Sequence, residues 1–173
     1  GLNSLLRGIR VLEFSVGAAV PWVTKHMAYY GAEVIRAESI ATPDAARTYV
    51  PPWAPEMGIQ PTLSPFLHEW SSGKRFITID RRTPEAPRLI GRLAAICDLV
   101  AVNLAASTVT RSGLTYEDLK KYNPSIIVLN TTGFGMSGPM RDYLAWGPNV
   151  ESFSGNCYMN SYPGGKPSPS VDA

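Results

Sequence analysis

Anion recognition is the chemistry that the residue types suggest first. The run Ser15-Val16-Gly17-Ala18-Ala19 is made of small side chains and leads to Pro21, which suits the first turn of a helix. Small residues let a ligand approach the backbone closely, and a helix N-terminus favours negative charge. Arg111 offers a planar fork that matches a phosphate, and Lys74 and Arg75 offer looser charge. Read without a ligand, Arg111 is a helix-surface charge and Lys74-Arg75 is an exposed turn ahead of a strand. Further along the chain lie a glycine loop, Gly133-Phe134-Gly135-Met136-Ser137-Gly138-Pro139, and a Ser154-Gly155 pair. Asp172 is the only acid beyond Gly155. Glu151 projects from a predicted helix near the loop, where the helix dipole alone would favour an acid. Asp142 reads as a loop acid.

Several chemistries are disfavoured. Ser-Val-Gly-Ala-Ala lacks the GxGxxG spacing of a dinucleotide site, although Glu38 falls about where a ribose-binding acid would lie. Two cysteines, Cys97 and Cys157, form no metal or disulfide pattern, and Cys97 reads as a buried free thiol. His26 sits in an apolar helical pattern and reads as a core histidine; His68 lies near Phe66 and Trp70. The formal net charge of +2 and the scattered basic residues give no case for nucleic acid. No apolar stretch reaches membrane-spanning length and no signal peptide is recognised, so a cytoplasmic protein without a metal is expected.

These residues need a scaffold, and the pattern supplies one. Strands are predicted at Ile9–Phe14, Glu33–Glu38, Phe76–Asp80, Leu99–Val102 and Ser125–Asn130. The first two flank a helix whose apolar face is read as Trp22, Val23, His26, Met27 and Tyr30, stopped by Gly31. Thr83-Pro84-Glu85 is read as the start of a helix with Leu89, Ile90, Leu93 and Ile96 inward. Thr115 caps a short helix, and another begins near Pro148. Residues 39–65 show no clear period and read as a functional or covering excursion. Strands alternating with helices predict an α/β fold, an open, mostly parallel Rossmann-like sheet with flanking helices. Residues 1–160 are expected to form that domain and residues 161–173 a Pro/Gly/Ser-rich tail or linker, so that the whole reads as part of a longer protein. In such sheets ligands bind beyond the carboxyl ends of the strands. Here that edge holds Ser15–Ala19, Glu38-Ser39, Asn103–Arg111 and Thr131–Pro139.

The order of segments resembles the class III CoA-transferases, which include formyl-CoA and carnitine CoA-transferases and 2-methylacyl-CoA racemases. The resemblance lies in Leu6–Phe14, Tyr30–Glu38, Gly73–Asp80, Cys97–Leu104, Arg111–Leu119 with Asn123-Pro124, and Thr132–Gly135 with Gly138-Pro139. It covers nearly the whole chain, and implies the N-terminal part of a larger fold that forms interlocked dimers. It implies coenzyme A as a substrate, bound against Val16, Gly17, Ala18 and Ala19, with further contacts from Ser39, Lys74, Asn103, Leu104 and Arg111. Leu104 would cover one face of adenine. Some relatives carry Arg where this chain has Ser39, which removes one phosphate contact. The implied reaction passes coenzyme A from an acyl-CoA to a small carboxylic acid through an Asp-linked anhydride and thioester. Asp172 matches the nucleophile's place, without the following Asp-x-x-x-Gly glycine. Gly133, Gly135 and Gly138 are candidates to aim backbone N–H groups at the oxyanion or to close over the site. The racemase pattern places a His after the glycine loop, and this chain has none beyond His68. The competing readings are a non-catalytic coenzyme A-binding fragment or subunit and a Rossmann-type cofactor domain.

Overall fold

The computed structural model describes residues 4–48 and 64–168. Its centre is a five-stranded sheet of β1 (Arg10–Phe14), β2 (Glu33–Glu38), β3 (Arg75–Thr78), β4 (Leu99–Val102) and β5 (Ile127–Asn130), in the order β3-β2-β1-β4-β5. Every neighbouring pair is parallel. The α/β expectation therefore holds, and β2 and β4 have the predicted bounds. β3 and β5 are shorter than predicted.

The helices are α1 (Ala19–Tyr29), α2 (Pro65–Ser71), α3 (Ala86–Ala94), α4 (Ala106–Arg111), α5 (Tyr116–Leu119), α6 (Gly147–Ser154) and α7 (Asn156–Met159). A 3₁₀ turn, Ala45–Arg47, follows β2 and is capped by the Asp44 side chain. The turn and α2 give structure to part of the segment predicted to lack a period; the rest of it, residues 49–63, lies outside the described residues. Helix α5 starts as expected, with Thr115 Oγ1 accepting from the Asp118 N–H.

Strand alternation divides the core. Leu12 and Phe14 join Ile90, Val100, Val102, Val109 and Leu114 in the larger cluster, whereas Val11, Val34 and Ala101 pack with Val20 and Ala32 in the smaller one. Glu13 falls on the same side of β1 as Val11, and its register partner is Arg36, on the same side of β2 as Val34.

The predicted face of α1 is not the buried one: of its five residues only Met27 packs, partly buried, against the smaller cluster. Val20, Pro21, Thr24 and Lys25 are buried, while Trp22, Val23, Tyr29 and Tyr30 are exposed. His26 is also exposed, with Nδ1 2.8 Å from the Trp22 carbonyl oxygen, and is not a core histidine. Val20, Met27 and Ala28 pack on the smaller cluster, while Thr24 turns to Glu13 beneath and Lys25 pairs with Glu69 of α2. Helix α3 differs as well. It begins at Ala86, because the Thr83 hydroxyl donates to the Asp80 carbonyl rather than capping a helix. Its buried face is Ala86, Ile90, Gly91 and Ala94, leaving Leu89 and Ile96 exposed. Gly91 leaves room for the Tyr122 ring, which a Cβ would meet at 2.3 Å and push aside.

Cys97 is buried and free, and burial raises its thiol to about 11. Beyond β5 the chain is loosely covered. Helix α6 buries none of its residues, and Leu144, Phe153, Tyr158, Met159 and Tyr162 are exposed.

Ile90 is fully buried at the centre of the larger cluster. Ile90→Ala is expected to cost about 2–5 kcal/mol of stability, read from urea unfolding midpoints; a cost below about 1 kcal/mol would show that this cluster does not carry the fold.

Candidate functional site

Beneath the carboxyl edge of β1 and β2 lies a buried ionic network. Glu13, Arg36 and the Lys74 side chain have no exposed surface, and Asp44 is 1% exposed. Glu13 accepts from Ser15 Oγ, from Thr24 Oγ1 at 2.6 Å and from Lys74 Nζ at 2.8 Å. Lys74 Nζ also donates to Thr24 Oγ1 and to the Pro21 carbonyl, each at 2.8 Å. Arg36 donates to Asp44 Oδ2 and to Ser71 Oγ. Its Nε stands 3.3 Å from Glu13 Oε1 but is not aligned for a hydrogen bond. Two carboxylates and two cations thus balance inside the protein. Burial lowers the Lys74 ammonium to about 8, although Glu13 pulls in the opposite direction.

The exits of the strands are tied to one another above this network. After β4, Asn103 takes hold of Val16: its Oδ1 accepts from the Val16 N–H at 2.8 Å, and its Nδ2 donates to the Val16 carbonyl at 2.7 Å. After β2, Asp44 Oδ1 accepts from the N–H groups of Gly17 at 3.0 Å and Ala46 at 2.8 Å. The next residues, Ala18 and Ala19, begin α1 with no capping side chain. This leaves the first turn as an electropositive end at the sheet edge.

The chain leaving β5 crosses the same edge. Asp142 Oδ1 accepts from the Ser107 N–H at 2.9 Å, at the start of α4, and that bond helps to hold its carboxyl below the usual range. Trp146 reaches the β1 exit, where its Cζ3 lies 3.7 Å from where a Gly17 Cβ would be. Gly133 is packed against Ala145 so closely that a Cβ would fall 1.9 Å from the alanine methyl. The N–H of Gly135 closes a turn on the Thr132 carbonyl at 3.2 Å. Gly135 and Gly138 adopt left-handed φ values of 80° and 90°. Phe134 packs edge-on against Tyr143 and Phe153.

The residues singled out from the sequence occupy several environments. Val16, Gly17, Ala18 and Ala19 lie together at the β1 exit, as expected. Ser39 is buried in a tight turn, where its Oγ accepts from the Ala41 N–H at 3.2 Å. Lys74 is neither an exposed turn residue nor open to the edge; its ammonium is enclosed below it. Arg75 is the exposed member of that pair and bonds Glu33 at 2.8 Å. Asn103 faces the β1 loop, and Leu104 is 7% exposed and part of the larger core. Arg111 is exposed at the end of α4, with Thr108 Oγ1 3.4 Å from its NH2. Glu38 is held by Arg47 at 2.6 and 2.7 Å and by the Asp44 N–H at 2.9 Å. Burial opposes its ionisation, yet these partners leave its carboxyl below the ordinary value. Asp172 lies outside the described residues.

Sequence reasoning missed Asp44, Arg36 and Trp146. Charged residues inside predicted strands, Glu13 and Arg36, were the available signal for the first two. Nothing local marked Trp146. Two open cavities flank Arg47 and Phe76: one of about 300 Å³ also touches His68 and Ser71, and one of about 280 Å³ touches Glu38, Ser39 and Thr78. Among the described residues no cluster of His, Cys, Asp or Glu could hold a metal ion. None of their helices is long and apolar enough to cross a membrane.

Residues 6–171 match the family model described as CoA-transferase family III. The chain is 34% identical over 162 residues to succinate–glutarate CoA-transferase from Agrobacterium fabrum, an alignment covering 94% of this chain and 40% of that one. It is 35% identical over 159 residues to succinyl-CoA–D-citramalate CoA-transferase from Chloroflexus aurantiacus, covering 91% of this chain and 38% of the other. A crystal structure of a CAIB/BAIF family protein from Brucella suis superposes with a TM-score of 0.82 at 33% identity, over 96% of this chain and 43% of that one. The chain thus spans about 40% of the length of the curated relatives it matches.

The depressed Lys74 ammonium has a measurable consequence. It is charged in both folded and unfolded protein below about pH 8, and neutral in both above the ordinary lysine value of 10.5. Between these values the unfolded state holds the extra proton, so this group's contribution to stability rises with pH. Urea unfolding of wild type and Lys74→Met is expected to differ by a term that grows in favour of wild type from pH 8 to 10.5. A flat or falling difference would mean that Glu13 keeps the ammonium charged throughout.

Proposed function

The chain belongs to CoA-transferase family III, and we propose that the complete protein moves coenzyme A from an acyl-CoA donor to a small carboxylic acid. The observation that carries this reading is the uncapped first turn of α1 at the exit of β1, within a family match that spans residues 6–171. The pyrophosphate or 3′-phosphate of coenzyme A meets the first turn of α1 at Ala18 and Ala19 in this reading, with Val16 and Gly17 shaping the loop before it, since a helix N-terminus with small flanking residues suits an anion. Arg111 is exposed and supplies a phosphate-matching fork. Lys74 supports the same turn from below, through the Pro21 carbonyl and Thr24.

The proposed reaction begins with the Asp172 carboxylate attacking the acyl-CoA carbonyl. Coenzyme A thiolate leaves, and a mixed anhydride forms. The thiolate then attacks the aspartyl carbonyl, releasing the donor acid and leaving an enzyme thioester. The acceptor carboxylate attacks that thioester and expels the thiolate again. Finally the thiolate attacks the acceptor carbonyl, which yields the new acyl-CoA and restores Asp172. The loop bearing Gly133, Gly135 and Gly138 closes over the reacting carbonyl, with backbone N–H groups other than that of Gly135, which the Thr132 carbonyl holds, as its oxyanion donors. The relatives named above act on succinate, glutarate and D-citramalate, as their names state, and a small dicarboxylic acid is the acceptor class we assign. The complete protein is proposed to act as a homodimer. The exposed apolar surface around α6 supports burial against further protein.

The test uses the complete protein with succinyl-CoA, glutarate and hydroxylamine. Peptide mass spectrometry is expected to find a hydroxamate on Asp172, and Asp172→Asn to lower exchange by roughly a thousandfold or more. Exchange with no adduct on any carboxylate would overturn the mechanism. An adduct on Glu151 instead would move the nucleophile, and absence of exchange with any acid would overturn the transferase reading.

A further inference from the structure

Asp44 and Asn103 grip consecutive residues of one loop from two different strand exits. Asn103 has both its amide oxygen and its amide nitrogen engaged with Val16, at 2.8 and 2.7 Å. Asp44 Oδ1 receives Gly17 and Ala46, and Oδ2 receives Arg36. At 1% exposure Asp44 has no face left for a ligand, and its charge would repel a phosphate. The N–H groups of Val16 and Gly17 are likewise turned toward the protein and away from any ligand. Trp146 also approaches this loop, with its Cζ3 3.7 Å from where a Gly17 Cβ would be, and Gly17 has a φ of 65°, in the left-handed region. The loop is therefore held at two consecutive residues just before α1 begins.

We infer that Asp44 and Asn103 are positioning residues that act as one clamp: together they set the loop conformation from which Ala18 and Ala19 present the first turn of α1 to the phosphates. Their side-chain polar groups act through the loop, not on the ligand. The inference rests on the coenzyme A reading above. It adds that recognition of the nucleotide end depends on two side chains buried or engaged elsewhere, and that the two are energetically coupled. Once either grip is lost the loop is free to move, and the remaining grip has little left to hold.

The experiment uses the complete protein and compares acyl-CoA with the same acyl-pantetheine, which lacks the nucleotide phosphates. Asn103→Ala and Asp44→Asn are each expected to raise KM for acyl-CoA by about tenfold, the scale of one hydrogen-bonded contact, with kcat changed less than about twofold. KM for acyl-pantetheine stays at its wild-type value, and the double variant matches the stronger single one. A double variant whose effect is the product of the singles would overturn the coupling. An equal rise for acyl-pantetheine would overturn the positioning role and leave general loosening. If Asp44→Asn fails to fold, because Arg36 is left without its partner, Asn103→Ala still decides through the two-substrate comparison. A wild-type protein that uses acyl-CoA and acyl-pantetheine equally well would instead overturn the coenzyme A site itself, an outcome separate from the others.

Discussion

The meeting of Glu13 and Arg36 across β1 and β2 governs much of this structure. A charge on a buried face must find partners, because an isolated one would cost far more than the protein's net stability. Glu13 draws Lys74 in from the start of β3, and Arg36 draws Asp44 in from the exit of β2. Each partner brings backbone with it. Lys74 reaches the Pro21 carbonyl in α1, and Asp44 reaches the Gly17 N–H in the loop before it. The ionic network is thus what connects strand order to the shape of the sheet edge. Such clusters contribute little net stability compared with apolar packing, but removing one member is severe. Their value here lies in geometry, since hydrogen bonds have direction and apolar contacts do not.

Helix α1 shows the consequence. Its sequence carries an apolar stripe, yet the sheet face below ends in carboxylate and guanidinium groups. The helix turns Thr24 and Lys25 inward, and the aromatic residues Trp22, Tyr29 and Tyr30 face out. The same rotation places the Pro21 carbonyl over Lys74 and leaves the first turn uncapped at the exit of β1. The larger cluster on the other side of the sheet follows ordinary rules, with Ile90, Val109, Leu114 and Leu119 all fully buried. One face of the sheet therefore supplies the larger apolar core, and the other combines a smaller apolar cluster with the ionic network near the edge.

The segment after β5 makes fewer demands on the core. It is fastened at Asp142 and at Trp146, and otherwise exposes large apolar side chains on α6 and α7. Exposed residues such as Phe153 and Met159 fit a chain that spans about 40% of the length of its relatives. Where this segment does pack, glycine is required: Gly133 leaves the space that the Ala145 methyl fills.

The sequence alone determined the five strands in chain order, the helices α1 and α3 between them, the parallel sheet, the bounds of β2 and β4, and the Thr115 cap. These depend on local pattern, β-branched runs and short connections, which any reader of the chain can see. It also determined the family, because the ordered segments from Leu6 to Pro139 are specific in combination. Only the tertiary structure decided the face of α1, the start of α3, the enclosure of Lys74 and the grip of Asn103 and Asp44 on the β1 exit. Those features arise between residues far apart in sequence. Lys74 before a strand has the same local pattern whether it meets water or Glu13, and Asn103 has the same pattern whether it meets a ligand or Val16. Periodicity reports which residues share a face, but the partner across the gap determines whether that face turns inward. In this protein Glu13 takes Thr24, Glu69 of α2 takes Lys25 and the smaller cluster takes Val20, and these partners decide the face of α1.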